Sequence, residues 1–76
     1  VDLILVEGFK HENISKIEIH RPLLEKPLLQ PDDPNIIAIA TDQPDLENLY
    51  QRQIPCPLLN INHTNEISSF IVRNIQ

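Results

Sequence analysis

Three short segments of the 76-residue sequence are apolar at almost every position, and they restrict the possible folds more than any other feature. These segments are Leu3–Val6, Ile36–Ala40 and Leu58–Ile61. Such short segments are typical of strands, and a strand that is apolar on both faces is typical of a parallel sheet covered on both sides. The sequence therefore predicts an α/β protein with mostly parallel strands.

Two candidate helices follow the second and third apolar segments. The first runs from Pro44 to about Gln51, with proline in its first turn and acidic residues near the positive end of its dipole. The second begins at about Asn65, and its apolar residues fall at helical spacing; they are Ile67, Phe70, Ile71 and Ile75. This order predicts right-handed crossovers between parallel strands, with helices flanking the sheet.

A fourth segment, Lys16–Arg21, alternates between apolar and polar residues and predicts a half-exposed strand. Its polar face consists of Lys16, Glu18 and His20. The connection from the first apolar segment, Gly8–Ser15, is short for a helical crossover, so we expect these two strands to be antiparallel or outside a common sheet. The following segment, Pro22–Pro34, holds four of the seven prolines and predicts an extended surface loop.

Composition excludes several classes of protein. The net charge is −5 and the basic residues are scattered, which argues against a nucleic-acid-binding face. No segment approaches the roughly 20 apolar residues that a membrane helix needs. A single cysteine, Cys56, excludes an internal disulfide and fits a reducing compartment, so we expect a cytoplasmic protein. The sequence opens directly on a strand-like segment without Met, and we expect residues 1–76 to be the C-terminal part of a larger domain.

Glu7 is the first candidate site residue, because it follows an apolar strand directly. Open α/β sheets bind ligands beyond the carboxyl ends of their strands. A carboxylate at that position can bind Mg²⁺, which prefers a few carboxylates together with phosphate oxygens. Gly8, the only glycine, permits a sharp turn or a close approach to a nucleotide. On spacing alone, a solvated or helix-capping role for Glu7 fits equally well.

Thr41 and Asp42 follow the second apolar strand and are candidate nucleotide-binding residues. A carboxylate at that end of the sheet can accept the two adjacent N–H groups of guanine, a pairing that adenine does not offer. The alternative, which the local sequence favours, is that Asp42 begins a turn, since TDQPD is rich in turn-forming residues.

Two basic residues near the first strand, Lys10 and His11, are possible contacts for a phosphate or another anion. His20 and Arg21 flank the second strand and raise the same question. A solvated, exposed face is the favoured explanation for each of them by itself. The histidines and Cys56 lack the spacing of a zinc site, and Cys56 lies between two prolines, as expected for an inert thiol.

Four segments of the sequence resemble the family of molybdopterin-guanine dinucleotide biosynthesis protein B. They are VEGFKHE, SKIEIHR, NIIAIATD and PLLNIN, and their order and approximate spacing match that family. The resemblance implies a P-loop NTPase-type fold that binds GTP and Mg²⁺, with Glu7 serving the metal. It also implies a partner, the guanylyltransferase that attaches GMP to molybdopterin, and at most weak GTPase activity.

The sequence departs from that family in one respect. It has a single glycine and no G-x-x-x-x-G-K-[ST] loop to cradle phosphates. We therefore expect a partial P-loop-type sheet, its C-terminal half, that is not catalytic by itself. Two alternatives stay open. One is part of a related ATP-dependent synthetase, a group that shares Val-Glu-Gly. The other is non-enzymatic: a truncated product, or a small interaction module whose exposed sheet edge pairs with another chain, including a second copy in a homodimer.

Overall fold

The computed structural model describes residues 3–8, 12–43 and 45–74. Its four strands are β1 (Leu3–Val6), β2 (Ser15–His20), β3 (Ile36–Thr41) and β4 (Leu58–Asn60). The α-helices are α1 (Leu46–Tyr50) and α2 (Thr64–Asn74). None of the helices in this described part of the chain is long and apolar enough to cross a bilayer.

The strands form one sheet in the order β1-β2-β3-β4, and every neighbouring pair is parallel. The predicted α/β class, with parallel strands and flanking helices, is confirmed. The predicted antiparallel or separate arrangement of β1 and β2 is wrong, because a parallel return needs no helix here. Leu3 pairs with Ser15 and Val6 with Glu18, so the return from Val6 to Ser15 covers about 10 Å along the strand at roughly 3.3 Å per residue. Residues 7–14 can span about 26 Å when extended.

One face of the sheet packs against α2. Its buried core contains Ile17, Ala38, Ala40 and Leu59 from three strands and Phe70 from the helix. The half-buried helix residues Ile67 and Ile71 pack against the same cluster, which confirms the helical spacing seen in the sequence. Ile75 lies outside the described residues.

The second face is covered by α1 and by the connection between β2 and β3. Leu46 of α1 is fully buried with Ile36 and Ile39 of β3, while Leu28 and Leu29 pack against this cluster from the connection. The connection is not simply extended, as the prolines suggested. It contains two 3₁₀ turns, at Pro22–Leu24 and Gln30–Asp32, each with a proline at its start. We call residues 22–34 the covering loop.

The covering loop overturns the prediction that β2 is half exposed. Lys16, Glu18 and His20 are only 1%, 2% and 3% exposed. β2 is an interior strand, and the covering loop and α1 lie over the face that carries these three side chains. Alternating polarity indicates two different faces of a strand, but it does not indicate which face meets solvent. Buried polar groups are tolerated where each one finds a partner.

Candidate functional site

The carboxyl ends of all four strands lie at one edge of the sheet because the strands are parallel. Glu7 follows β1, Arg21 follows β2 and Asp42 follows β3 at this edge. All three are exposed. We call it the carboxyl edge, and it is where ligands bind in open α/β sheets.

Glu7 and Gly8 are both accessible at the carboxyl edge. A side chain at position 8 would meet open space, and Gly8 does not adopt a positive φ. Its backbone therefore carries no strain in this structure. Within residues 3–8, 12–43 and 45–74, no three His, Cys, Asp or Glu side chains lie close enough to hold a metal together. Mg²⁺ at Glu7 would need its remaining ligands from phosphate oxygens and water, in keeping with the ordinary preference of that ion.

Thr41 and Asp42 differ in their environment. Thr41 is buried, and its Oγ1 accepts a hydrogen bond from the Gln43 backbone N–H at 3.0 Å. This hydrogen bond is local and joins the last residue of β3 to the second residue after it. Asp42 is exposed. The two anion contacts suggested by the sequence, Lys10 and His11, lie outside the described residues.

A cavity of about 210 Å³ opens beside Glu7, between the end of β2 and the covering loop. We call it the edge cavity. Its walls combine buried polar, exposed charged and apolar residues, namely Glu7, Gly8, Glu18, Ile19, His20, Arg21, Leu24, Lys26, Pro27 and Leu29. Glu7 and Gly8 thus line the same cavity as Glu18, Ile19 and His20 of β2. Thr41 and Asp42 do not line it.

A larger cavity, of about 460 Å³, lies at the opposite edge of the sheet, between the start of β2 and the covering loop. Lys16 and Asp33 line it, and the Lys16 ammonium contacts the Asp33 carboxylate at 2.8 Å. The same ammonium also donates to the Glu12 carbonyl oxygen. This cavity is remote from the ends of the strands where an α/β sheet places its chemistry.

Glu18 is the most constrained polar group of the edge cavity. Its Oε2 accepts the Leu29 backbone N–H at 2.8 Å, and its Oε1 accepts the Gln30 backbone N–H at 2.9 Å. Burial raises the pKa of this carboxyl, while the two backbone donors act in the opposite direction. The carboxylate therefore fixes the covering loop to the central strand.

His20 holds α1 in a similar way. Its Nε2 lies 2.8 Å from the Tyr50 hydroxyl, and the two rings are tilted by 55°. Its Nδ1 lies 3.8 Å from Glu18 Oε2, which is longer than a hydrogen bond. Burial lowers the pKa of His20 below its usual 6.5, so the ring is neutral at pH 7.

Lys16, Glu18 and His20 form a buried polar row along β2. Sequence reasoning considered only His20 as a ligand contact and placed all three on a half-exposed strand. Each contacts a different part of the covering loop or α1: Lys16 pairs with Asp33, Glu18 accepts the Leu29 and Gln30 backbone N–H groups, and His20 hydrogen-bonds to Tyr50. One signal was available in the sequence. The covering loop contains four leucines among its prolines, and such a loop has apolar side chains to bury against a neighbouring strand.

Comparison with known proteins connects this edge to a family. The family model of molybdopterin guanine dinucleotide synthesis protein B matches residues 1–42, which extend from before β1 to the residue after β3. A molybdopterin-guanine dinucleotide biosynthesis adapter protein of Haemophilus influenzae is 43% identical over 70 residues, covering 92% of this chain. The adapter protein of the same name from Escherichia coli is 38% identical over 82 residues, covering the whole chain.

The chain spans 35% and 40% of the lengths of these two relatives. No solved structure matches it at a comparable level of significance. The match extends over both sides of the carboxyl edge, from Glu7 to Asp42, and over the polar row of β2 between them. The chain accordingly belongs to the molybdopterin guanine dinucleotide synthesis protein B family.

Proposed function

We propose that this chain acts in molybdenum cofactor biosynthesis as part of a GTP-binding adapter, and that it supplies the metal-binding and partner-binding side of the adapter. The observation that carries the proposal is the family match over residues 1–42, because these residues build the carboxyl edge. The names of both relatives describe adapters of molybdopterin-guanine dinucleotide biosynthesis.

In this proposal Glu7 holds Mg²⁺ against the phosphates of GTP. Its carboxylate is exposed at the carboxyl end of β1, where phosphate oxygens and water can complete the coordination of the ion. The chain has no glycine-rich phosphate loop, so the phosphates are cradled by groups that these 76 residues do not contain. Bound Mg²⁺ would neutralise phosphate charge, while this chain orients the nucleotide.

The proposed protein partner is the guanylyltransferase that forms the dinucleotide cofactor, and a second copy of the chain is a further candidate. Apolar surface is available for an interface. Leu5, on edge strand β1, is 53% exposed and Val72, on α2, is 70% exposed. β1 also has only β2 as a paired neighbour among the described strands, and a free strand edge readily pairs with another chain.

A binding assay with the adapter that contains this chain together with its phosphate-binding groups tests both parts of this proposal. Fluorescent GTP is titrated with and without Mg²⁺, with ATP as competitor, and the guanylyltransferase is titrated separately by calorimetry. We expect Mg²⁺-dependent GTP binding that Glu7→Gln weakens by about tenfold, since one metal ligand is lost. Asp32→Asn is the matched control, because it removes an exposed carboxylate beside the opposite edge of the sheet. Absence of binding to both GTP and the guanylyltransferase would contradict the proposal.

A further inference from the structure

We propose that the edge cavity binds the hydrogen-bonding edge of a flat heterocycle in which a ring N–H lies between an amino group and a carbonyl oxygen. Guanine and pterin share this arrangement. The inference rests on the proposed function, and it assigns ring recognition to Glu18 and His20 instead of Asp42.

The size of the edge cavity matches a single ring system better than a whole nucleotide. Its volume of about 210 Å³ is below the range of about 300–1,000 Å³ for pockets that enclose a drug-sized ligand. This volume suits a single bicyclic ring better than a complete nucleotide. Leu24, Pro27 and Leu29 supply apolar walls against which a flat ring can pack. Exposed Arg21 and Lys26 also line the cavity and offer positive charge to phosphates that remain outside it.

Two buried polar residues, Glu18 and His20, line the edge cavity. Each oxygen of Glu18 accepts one backbone N–H, and a carboxylate oxygen has a second acceptor site. Glu18 can therefore accept from the adjacent ring N–H and amino group of a ligand. His20 Nδ1, 3.8 Å from Glu18 Oε2, can donate to the neighbouring carbonyl oxygen when the Tyr50 hydroxyl donates to Nε2.

Adenine does not satisfy this set of groups. At the corresponding edge it presents a ring nitrogen without hydrogen, which would face the Glu18 carboxylate with a lone pair. Its amino group would face the His20 donor. A site that leaves buried polar groups unpaired rejects the wrong ligand strongly. The edge cavity can therefore account for a preference for guanine without Asp42, which is exposed and does not line it.

The test uses ¹⁵N–¹H spectra of the 76-residue chain, titrated with guanosine, 6-hydroxymethylpterin or adenosine. The backbone N–H groups of Leu29 and Gln30 are the reporters because they bond to Glu18. We expect guanosine, the pterin or both to shift these signals, and adenosine to bind at least about tenfold more weakly. A response to guanosine alone identifies the nucleotide as the source, and a response to the pterin alone identifies the cofactor. If neither compound shifts these signals, the inference is wrong.

Two neighbouring leucines provide a blocking variant and its control. Leu24 lines the edge cavity, whereas Leu23 in the same 3₁₀ turn does not and is 90% exposed. Leu24→Trp should weaken binding of the responding ligand by about tenfold or more, because the indole occupies space that the ring needs. Leu23→Trp should bind as the unaltered chain does. Equal binding by both variants, with unchanged signal dispersion elsewhere, would also overturn the inference.

Because these ligands carry no phosphate, failure here is distinguishable from failure of the proposed function. If neither guanosine nor the pterin binds but GTP binding is intact and depends on Glu7, only the assignment of the edge cavity is wrong. If guanosine or the pterin binds but Mg²⁺ and GTP do not, only the metal role proposed for Glu7 is wrong.

Discussion

Replacing Glu18 with glutamine should destabilise the fold by about 1–3 kcal/mol. The carboxylate accepts two backbone N–H groups, one on each oxygen, at 2.8 and 2.9 Å. Glutamine keeps one oxygen and turns its NH₂ toward the other donor, so one buried N–H loses its partner at a cost of about 1–3 kcal/mol. The remaining hydrogen bond also loses the strength that a charged acceptor provides. Removal of the buried charge offsets this second loss, since burial raises the pKa of Glu18 despite both hydrogen bonds, so the unpaired N–H sets the net cost.

Urea denaturation followed by circular dichroism measures this change, provided that the m-value stays constant. The loss is large against a total stability of about 4–11 kcal/mol for a chain of this length. Glu25→Gln is the matched control, since Glu25 is exposed and should change stability by less than about 0.5 kcal/mol. Hydrogen exchange at Leu29 and Gln30 should accelerate in the Glu18 variant. An unchanged urea midpoint together with unchanged exchange would refute the anchoring role.

The pH dependence of the same variant provides a second check. Burial raises the pKa of Glu18 above its usual 4.5, so ionisation of this group costs folding free energy. The stability that it contributes is present below pH 4.5 and is lost as the pH rises through the folded-state pKa. The unaltered chain should therefore lose more stability than Glu18→Gln as the pH rises from about 4 to about 7. Parallel pH profiles would contradict this assignment.

Three further predictions concern the other buried groups. Burial lowers the pKa of His20, so the stability of the fold should fall as the pH drops through 6.5 toward the folded-state pKa. Urea midpoints of the unaltered chain should fall more steeply with pH than those of His20→Gln, and equal slopes would contradict this prediction. Lys16→Met should lower the free energy of unfolding in urea by about 2 kcal/mol, because the Asp33 carboxylate, 20% exposed, loses this ammonium. A variant as stable as the unaltered chain would show that the ion pair does not stabilise the fold. Cys56 has its pKa raised by burial, so iodoacetamide should modify it much more slowly in the folded chain than in urea at one pH; similar rates would disprove this.

Much of the fold could be predicted from the sequence because the relevant signals are local. Ile36–Ala40 is apolar at every position and became an interior strand buried almost throughout. Ile67, Phe70 and Ile71 are spaced as one helical face and pack on the sheet together. The family resemblance is confirmed, and with it the relation to a partial P-loop NTPase-type α/β fold.

The features that could not be predicted depend on contacts between distant residues. The Lys16–Glu18–His20 alternation has the same appearance whether its polar face meets water or a covering loop. Only the fold brings Glu18 to the Leu29 and Gln30 backbone and His20 to Tyr50, thirty positions away. The prediction for β1 and β2 is wrong because a short connection makes a helical crossover difficult but still permits a parallel return without a helix. The metal role of Glu7 and the nucleotide roles of Gly8, Thr41 and Asp42 remain predictions.

The polar row of β2 also determines how the strands align. β3 is buried along nearly its whole length and is apolar except for Thr41, so its side chains could exchange faces with little change in polarity. A one-residue slip of β2 would instead turn Lys16, Glu18 and His20 toward α2 and Phe70. All three would then lose their partners in apolar surroundings, so misaligned pairings of this strand are unstable. The polar residues of β2 thus determine a strand alignment that the aliphatic residues of β3 do not determine.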